Sequence, residues 1–147
     1  QELIIEKKLS NLAKQGFRAH LLVIDSASSD STIEKTKTWL EDFPDSFESW
    51  KIIPMVERKG KTTAVSLAMD ELSDFDGLIV MTDADATMMP GALERVNRWF
   101  SNPQVGAVGG TPSREGDLAG ENQHRATTIL LELVNQHMTA LHSWKGP

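Results

Sequence analysis

"GLIVMTDADATMMPGAL", from Gly77 to Leu93, puts Asp83 and Asp85 one residue apart at the end of an apolar run. Two carboxylates that close repel each other, so such a pair asks for something positive, and the candidates are a metal ion, a phosphoryl-transfer site, or plain solvent at a loop. The run itself reads as a buried strand, Gly77 to Thr82. After the acidic loop, Pro90 stands at the expected first position of a helix that ends near Phe100.

Outward from this stretch the same rhythm repeats. Leu3 to Gln15 carries Ile5, Leu9, Leu12 and Ala13 at helical spacing, with Gly16 as a stop. "AHLLVID", Ala19 to Asp25, is a short apolar strand. "SASSDST" follows as a turn rich in capping residues and leads into a helix over Thr32 to Phe43, with Asp30 and Thr32 as its cap. "WKIIPMV" (Trp50 to Val56) predicts a second strand, with Pro54 marking its end or a sheet edge. "ERKGK" is a loop, and Thr62 to Leu72 a helix. "VGAVGG" (Val105 to Gly110) predicts a fourth strand. Glu121 to His142 reads as a long amphipathic helix, with its stripe running from Ala126 to Leu141.

Alternating strands and helices predict an α/β fold, a mostly parallel sheet flanked by helices. The strand runs are apolar without alternation, as expected when both faces of a sheet are covered. Ligands in such sheets bind beyond the carboxyl ends of the strands. Three polar clusters fall there: Asp25 to Thr32, Arg58 to Thr62, and Asp83 to Thr87. Their convergence is the strongest functional signal in the sequence.

Composition narrows the classes. The chain has 147 residues, enough for one domain with a core, and 39% hydrophobic residues, too many for a disordered segment. Against 21 acids stand 15 Lys and Arg, a net charge of −6 that argues against nucleic acid as the main partner. With no cysteine, thiolate metal sites, cysteine nucleophiles and disulfides are excluded within these residues. No apolar run approaches the ~18 residues of a membrane span, and no signal peptide opens the chain. The expected location is cytoplasmic, with the cytoplasmic face of the membrane left open for a parent protein. Opening on Gln1 rather than Met, the chain reads as internal to a longer product. His20, His124, His137 and His142 fall outside any zinc-helix spacing and read as packed or surface positions.

Each motif has a rival reading. "GKTT" at Gly60 to Thr63 suggests a phosphate-binding loop, but that motif needs a glycine where Met55 stands, so the backbone has no phosphate cradle. What survives is Lys61 beside a helix N-terminus, a combination that favours an anion as much as a solvated loop. Asp25 ends a strand where a carboxylate accepts from a ribose hydroxyl or a nucleobase N–H. For Asp83 and Asp85, one reading is a clamp for Mg²⁺ or Mn²⁺, whose sites often combine one or two carboxylates with substrate phosphates. Another is the D-x-D-x-T signature of haloacid-dehalogenase-type phosphatases, with Asp83 as nucleophile and Asp85 as acid/base. That scheme needs further aspartates downstream, and Asp117 alone follows Asp85.

Taken together, these segments resemble family-2 glycosyltransferases. "VIDSASSDST" is similar to the family's "V-D-D-G-S-T-D-x-T", "RKGKTTAVSLAM" to its "N-x-G-K-x-x-A-L-N", and "GLIVMTDADATMMPGALERVNRWFSNPQVGAVGG" to its D-x-D region with the following helix and strand. "QELIIEKKLSNLAKQ" resembles the helix after the family's first strand. The likeness covers nearly the whole chain in order. It implies a GT-A fold, a single nucleotide-sugar-binding domain over 1–147, and transfer of a sugar from a nucleoside-diphosphate sugar to an acceptor hydroxyl with Mn²⁺ or Mg²⁺.

By position, the resemblance puts Asp25 at the nucleobase or ribose and Lys61 near the nucleotide. It puts Asp83 at the ribose or a metal-bound water, and Asp85 on the metal bridging the diphosphate. Ser26 stands where the family often has a second Asp, and Ala27 where it often has Gly. The family's first strand would precede Gln1 and its catalytic-base segment would follow Pro147, so the sheet is expected to be incomplete at both ends and the general base is not identified. Glu115 and Asp117, the nearest acids, match no motif. An incomplete sheet further predicts self-association through an unpaired edge. A non-catalytic nucleotide-sugar-binding module is the remaining alternative.

Overall fold

The computed structural model describes residues 2–110. The expected helix over 121–142, the acids Glu115 and Asp117, and three of the four histidines lie outside the described residues. Two compact units divide the chain, Gln1–Leu93 and Glu94–Pro147.

In the first unit α1 (Ile5–Ala13) leads to β1 (His20–Asp25), α2 (Thr32–Asp42), a 3₁₀ turn (Pro44–Ser46), β2 (Ser49–Pro54) and α3 (Lys61–Glu71). α1 forms because Ile5, Leu9 and Leu12 recur on one side of a segment free of Gly and Pro. Its last turn tightens through Gln15 N–H donating to the Leu12 carbonyl at 3.0 Å, and Gly16, at φ +82°, turns the chain out of the helix. At the start of α2 Asp30 Oδ1 accepts from the Thr32 amide at 3.1 Å, as expected of Asp30, whereas Thr32 is the first helical residue and Ser31 stands at the cap position without a side-chain cap. The Glu2 carboxylate adds a second cap, accepting from the Ser31 N–H at 3.0 Å. Thr32, Thr36 and Leu40 form its buried stripe, and Thr36 Oγ1 donates to the Thr32 carbonyl at 2.7 Å.

β1 and β2 pair in parallel, His20 opposite Ser49 through Asp25 opposite Pro54. Pro54 has no N–H to give, and the pairing closes instead with Met55 N–H donating to the Asp25 carbonyl at 2.8 Å. Ile5, Leu9, Leu40 and Phe47 make the core, with Leu21, Trp39 and Ile52 packed against them. Trp39 lies 4.8 Å from Phe43 and 6.4 Å from Phe47, ring to ring. At its amino end β1 is tied by a 2.8 Å hydrogen bond between His20 Nδ1 and Ser49 Oγ, and His20 is exposed, within the surface or packed positions expected for the histidines.

The structure corrects three expectations. Gly77 to Thr82 is not a strand, and Leu78, Ile79, Val80 and Met81 are all exposed. Val105 to Gly110, in the second unit, likewise carries no ladder. A strand exists only where a neighbouring edge supplies hydrogen bonds, and β-propensity reports fit to a covered sheet surface rather than an autonomous preference. Pro90 does not open the helix. α4 runs over Ala92–Trp99, because Gly91 at φ +70° lies outside helical geometry and leaves Pro90 in the preceding turn, closed by Ala92 N–H donating to the Met89 carbonyl at 3.0 Å. The covered-sheet expectation holds only in part: β1 is half-buried and β2 largely exposed. Among the described residues no helix is long and apolar enough to cross a membrane.

Candidate functional site

Asp25 ends β1 and is buried. Its carboxylate accepts from the Ser28 N–H at 2.9 Å, an Asx-type turn that folds the loop back over the strand end. Within that loop Ala27 sits at φ +55°, a left-handed conformation that costs a residue with a Cβ. Arg58 Nε donates to the Ser26 carbonyl at 3.5 Å and draws the loop before α3 towards this turn.

Lys61 opens α3 after Gly60, whose φ of +85° makes the turn into the helix. Its ammonium lies 2.8 Å from both carboxylate oxygens of Asp83. The repulsion between Asp83 and Asp85 is thus answered by a side chain that the sequence also singled out. Asp85 is exposed two residues on. Two of the polar clusters are joined directly by this ion pair, and Asp25 shares a cavity of about 150 Å³ with Lys8, Thr32, Thr82 and Ala84. The edge of β1 away from β2 carries no strand among the described residues and lines the same cavity. A larger, open hollow of about 560 Å³ sits at the other end of the strand, beside Gly16, Phe17 and Phe43, away from every acidic candidate.

Sequence reasoning read α1 as a helix but gave its polar residues no role. Lys8, buried on that helix, donates to Thr82 Oγ1 at 2.7 Å and to the Ala86 carbonyl at 2.6 Å. Burial pulls its ammonium below the usual lysine range, while the charges of Asp83 and Asp85 act in the opposite direction. Asn11 donates to the Met88 carbonyl at 2.9 Å and accepts from the Met88 N–H at 2.8 Å. The available signal was the helical spacing of Lys8, Asn11 and Gln15, a polar stripe beside the apolar one.

Among the described residues no three His, Asp or Glu side chains converge on a metal position. The donor set nevertheless fits a hard cation of the kind that keeps one or two protein carboxylates and takes its other oxygens from phosphates and water. Asp83 and Asp85 are both exposed, and both are oxygen ligands.

Parallel strands joined through a helix, with acidic and basic side chains gathered beyond their carboxyl ends, define an α/β domain of the class whose ligands bind at that edge. The chain belongs to glycosyl transferase family 2, whose family model matches residues 1–145. Membership brings the GT-A fold and glycosyltransferase activity at the level of the family, and selects that reading over the phosphatase one. Comparison with curated proteins and with solved structures finds no match.

Proposed function

We propose that residues 1–147 form one nucleotide-sugar-binding domain holding the donor half of a glycosyltransferase. It transfers a sugar from a nucleoside-diphosphate sugar to an acceptor hydroxyl with Mn²⁺ or Mg²⁺. The observation that carries this reading is the Lys61–Asp83 pair beside the exposed Asp85, at the carboxyl end of the sheet and near Asp25.

In this reading Asp25 accepts from the nucleobase or ribose, held in place by its bond to the Ser28 amide. Asp83 contacts the ribose side, and Asp85 with the donor diphosphate holds the cation. Bound there, the cation supplies electrostatic stabilisation to the departing diphosphate. Lys61 does two things. Before the donor arrives it neutralises Asp83, and afterwards it sits at the α3 N-terminus where the helix dipole also favours an anion. Removal of the acceptor proton is assigned to no residue of this chain.

Calorimetry of UDP and GDP binding tests the reading. Binding is expected with Mn²⁺ or Mg²⁺ and lost in chelator, and Asp85→Asn should remove the metal dependence. Equal affinity with and without chelator removes the clamp. Release of inorganic phosphate from a phosphomonoester, abolished by Asp83→Asn, would return the phosphatase alternative.

A further inference from the structure

The acidic loop from Thr82 to Met88 has little structure of its own. Within it one backbone hydrogen bond is made, Ala86 N–H to the Asp83 carbonyl at 3.2 Å, and no strand or helix holds it. Its anchors come from α1, more than seventy residues earlier in the chain. Lys8 reaches the residue just before Asp83 and the residue just after Asp85, so one ammonium brackets the whole Asp-Ala-Asp segment. One helical turn on, Asn11 gives a hydrogen bond to the carbonyl of Met88 and takes one from the N–H of the same residue. A side-chain amide does both at once, its NH₂ group donating and its carbonyl oxygen accepting. Gln15 adds a longer contact to the Met88 carbonyl at 3.5 Å.

We infer that Lys8 and Asn11 are positioning residues: from α1 they fix the backbone on either side of Asp83 and Asp85 and so set the angle at which the two carboxylates meet a cation. This rests on the reading of Asp85 as a cation ligand. The partners of Lys8 and Asn11 here are a hydroxyl and peptide groups rather than the carboxylates. Asn11, a neutral side chain, therefore acts on a ligand through the loop, whereas the Lys8 charge also acts on Asp83 and Asp85 directly. The design resembles an outer shell around a metal site, in which hydrogen bonds to the ligand-bearing segment restrict its geometry.

The test uses the whole chain, Mn²⁺ and UDP, with Lys8→Met and Asn11→Leu. The first keeps the aliphatic stem and removes the charge. The second is neutral for neutral, so no electrostatic change toward the cation confuses it. Calorimetry should give a dissociation constant for Mn²⁺–UDP raised about 10- to 100-fold in each, the usual range for outer-shell losses, with unchanged stoichiometry. Lys8→Arg, which retains charge and donors, should recover part of the loss. A purely structural role would instead lower the stoichiometry at constant affinity. That result, or affinities within twofold of wild type for both variants, overturns the inference. Should wild type itself bind no UDP in a metal-dependent way, the cation reading falls, and hydrogen exchange of the Thr82 to Met88 amides judges the clamp alone. Faster exchange in Asn11→Leu then supports it, and unchanged exchange removes it.

Discussion

The segment from Ile5 to Pro54 and the segment from Met55 to Leu93 are built by different means. In the first, Leu9 and Leu40 are each 1% exposed, and two helices and two strands close around them. In the second, α3 buries no residue, and Leu78, Ile79 and Val80 are 49%, 46% and 48% exposed. The first is held by apolar contact. The second is held by polar tethers: Lys61 on Asp83, Lys8 on Thr82 and Ala86, Asn11 on Met88, and Lys51 on Glu71. α1 belongs to both, apolar stripe to the core and polar stripe to the loop. Burial gives stability without direction, whereas hydrogen bonds give direction with little net stability. A candidate site for a cation and a diphosphate needs the second kind.

The comparison is broken most directly by Leu9→Ala set against Ile79→Ala. The first should cost about 3 kcal/mol, as a buried leucine leaving a cavity does. The second should stay within about 0.5 kcal/mol, as at an exposed position. Urea unfolding of both variants reads this, and equal losses would mean that the 77–81 run is covered in solution.

Next comes association. The edge of β1 that carries no strand among the described residues, with the exposed Ile79 and Met81, predicts a species heavier than the 16.3 kDa chain in light scattering. Replacing Ile79 and Met81 together by Lys should raise the self-dissociation constant about tenfold, or ~1.4 kcal/mol. A clean monomer at high concentration in the parent chain would show that neither surface is sticky.

Ala27→Gly should act in the stabilising direction. The left-handed φ of +55° strains an alanine, and relief of that strain outweighs the added chain entropy by about 0.5–1 kcal/mol. A drop in the unfolding midpoint would contradict the strain.

Smallest is the effect of Lys61→Ala on stability, under about 0.5 kcal/mol, because both partners of the Asp83 pair are more than half exposed. Nucleotide binding should nevertheless weaken, which separates a tether that shapes a site from one that holds a fold.

Helix positions were legible because their causes are local. Ile5, Leu9 and Leu12 set the period of α1, Gly16 its exit, and Asp30 the start of α2. The pairing of β1 with β2 was legible for a related reason: a helix between two apolar runs leaves few arrangements but parallel neighbours. Asp25, Lys61 and Asp83 stood out in the sequence as candidates, a carboxylate at a strand end, a lysine at a helix start and an acid after an apolar run. The run Gly77 to Thr82 has the composition of a strand, yet its state depends on an edge that no feature of those six residues supplies.

The amino-acid sequence by itself determined α1, α2 and α3, the parallel pair and the identity of the charged residues that follow its strands. Their causes lie within a few turns of chain or in the alternation of elements. Only the tertiary structure decided that Lys61 meets Asp83, and that Lys8 and Asn11 hold the loop on either side of the acidic pair. A hydrogen bond between residues 74 positions apart leaves no periodicity and no motif. It exists because the apolar stripe of α1 is buried in the core, which fixes the helix rotation and delivers the adjacent polar stripe to the loop.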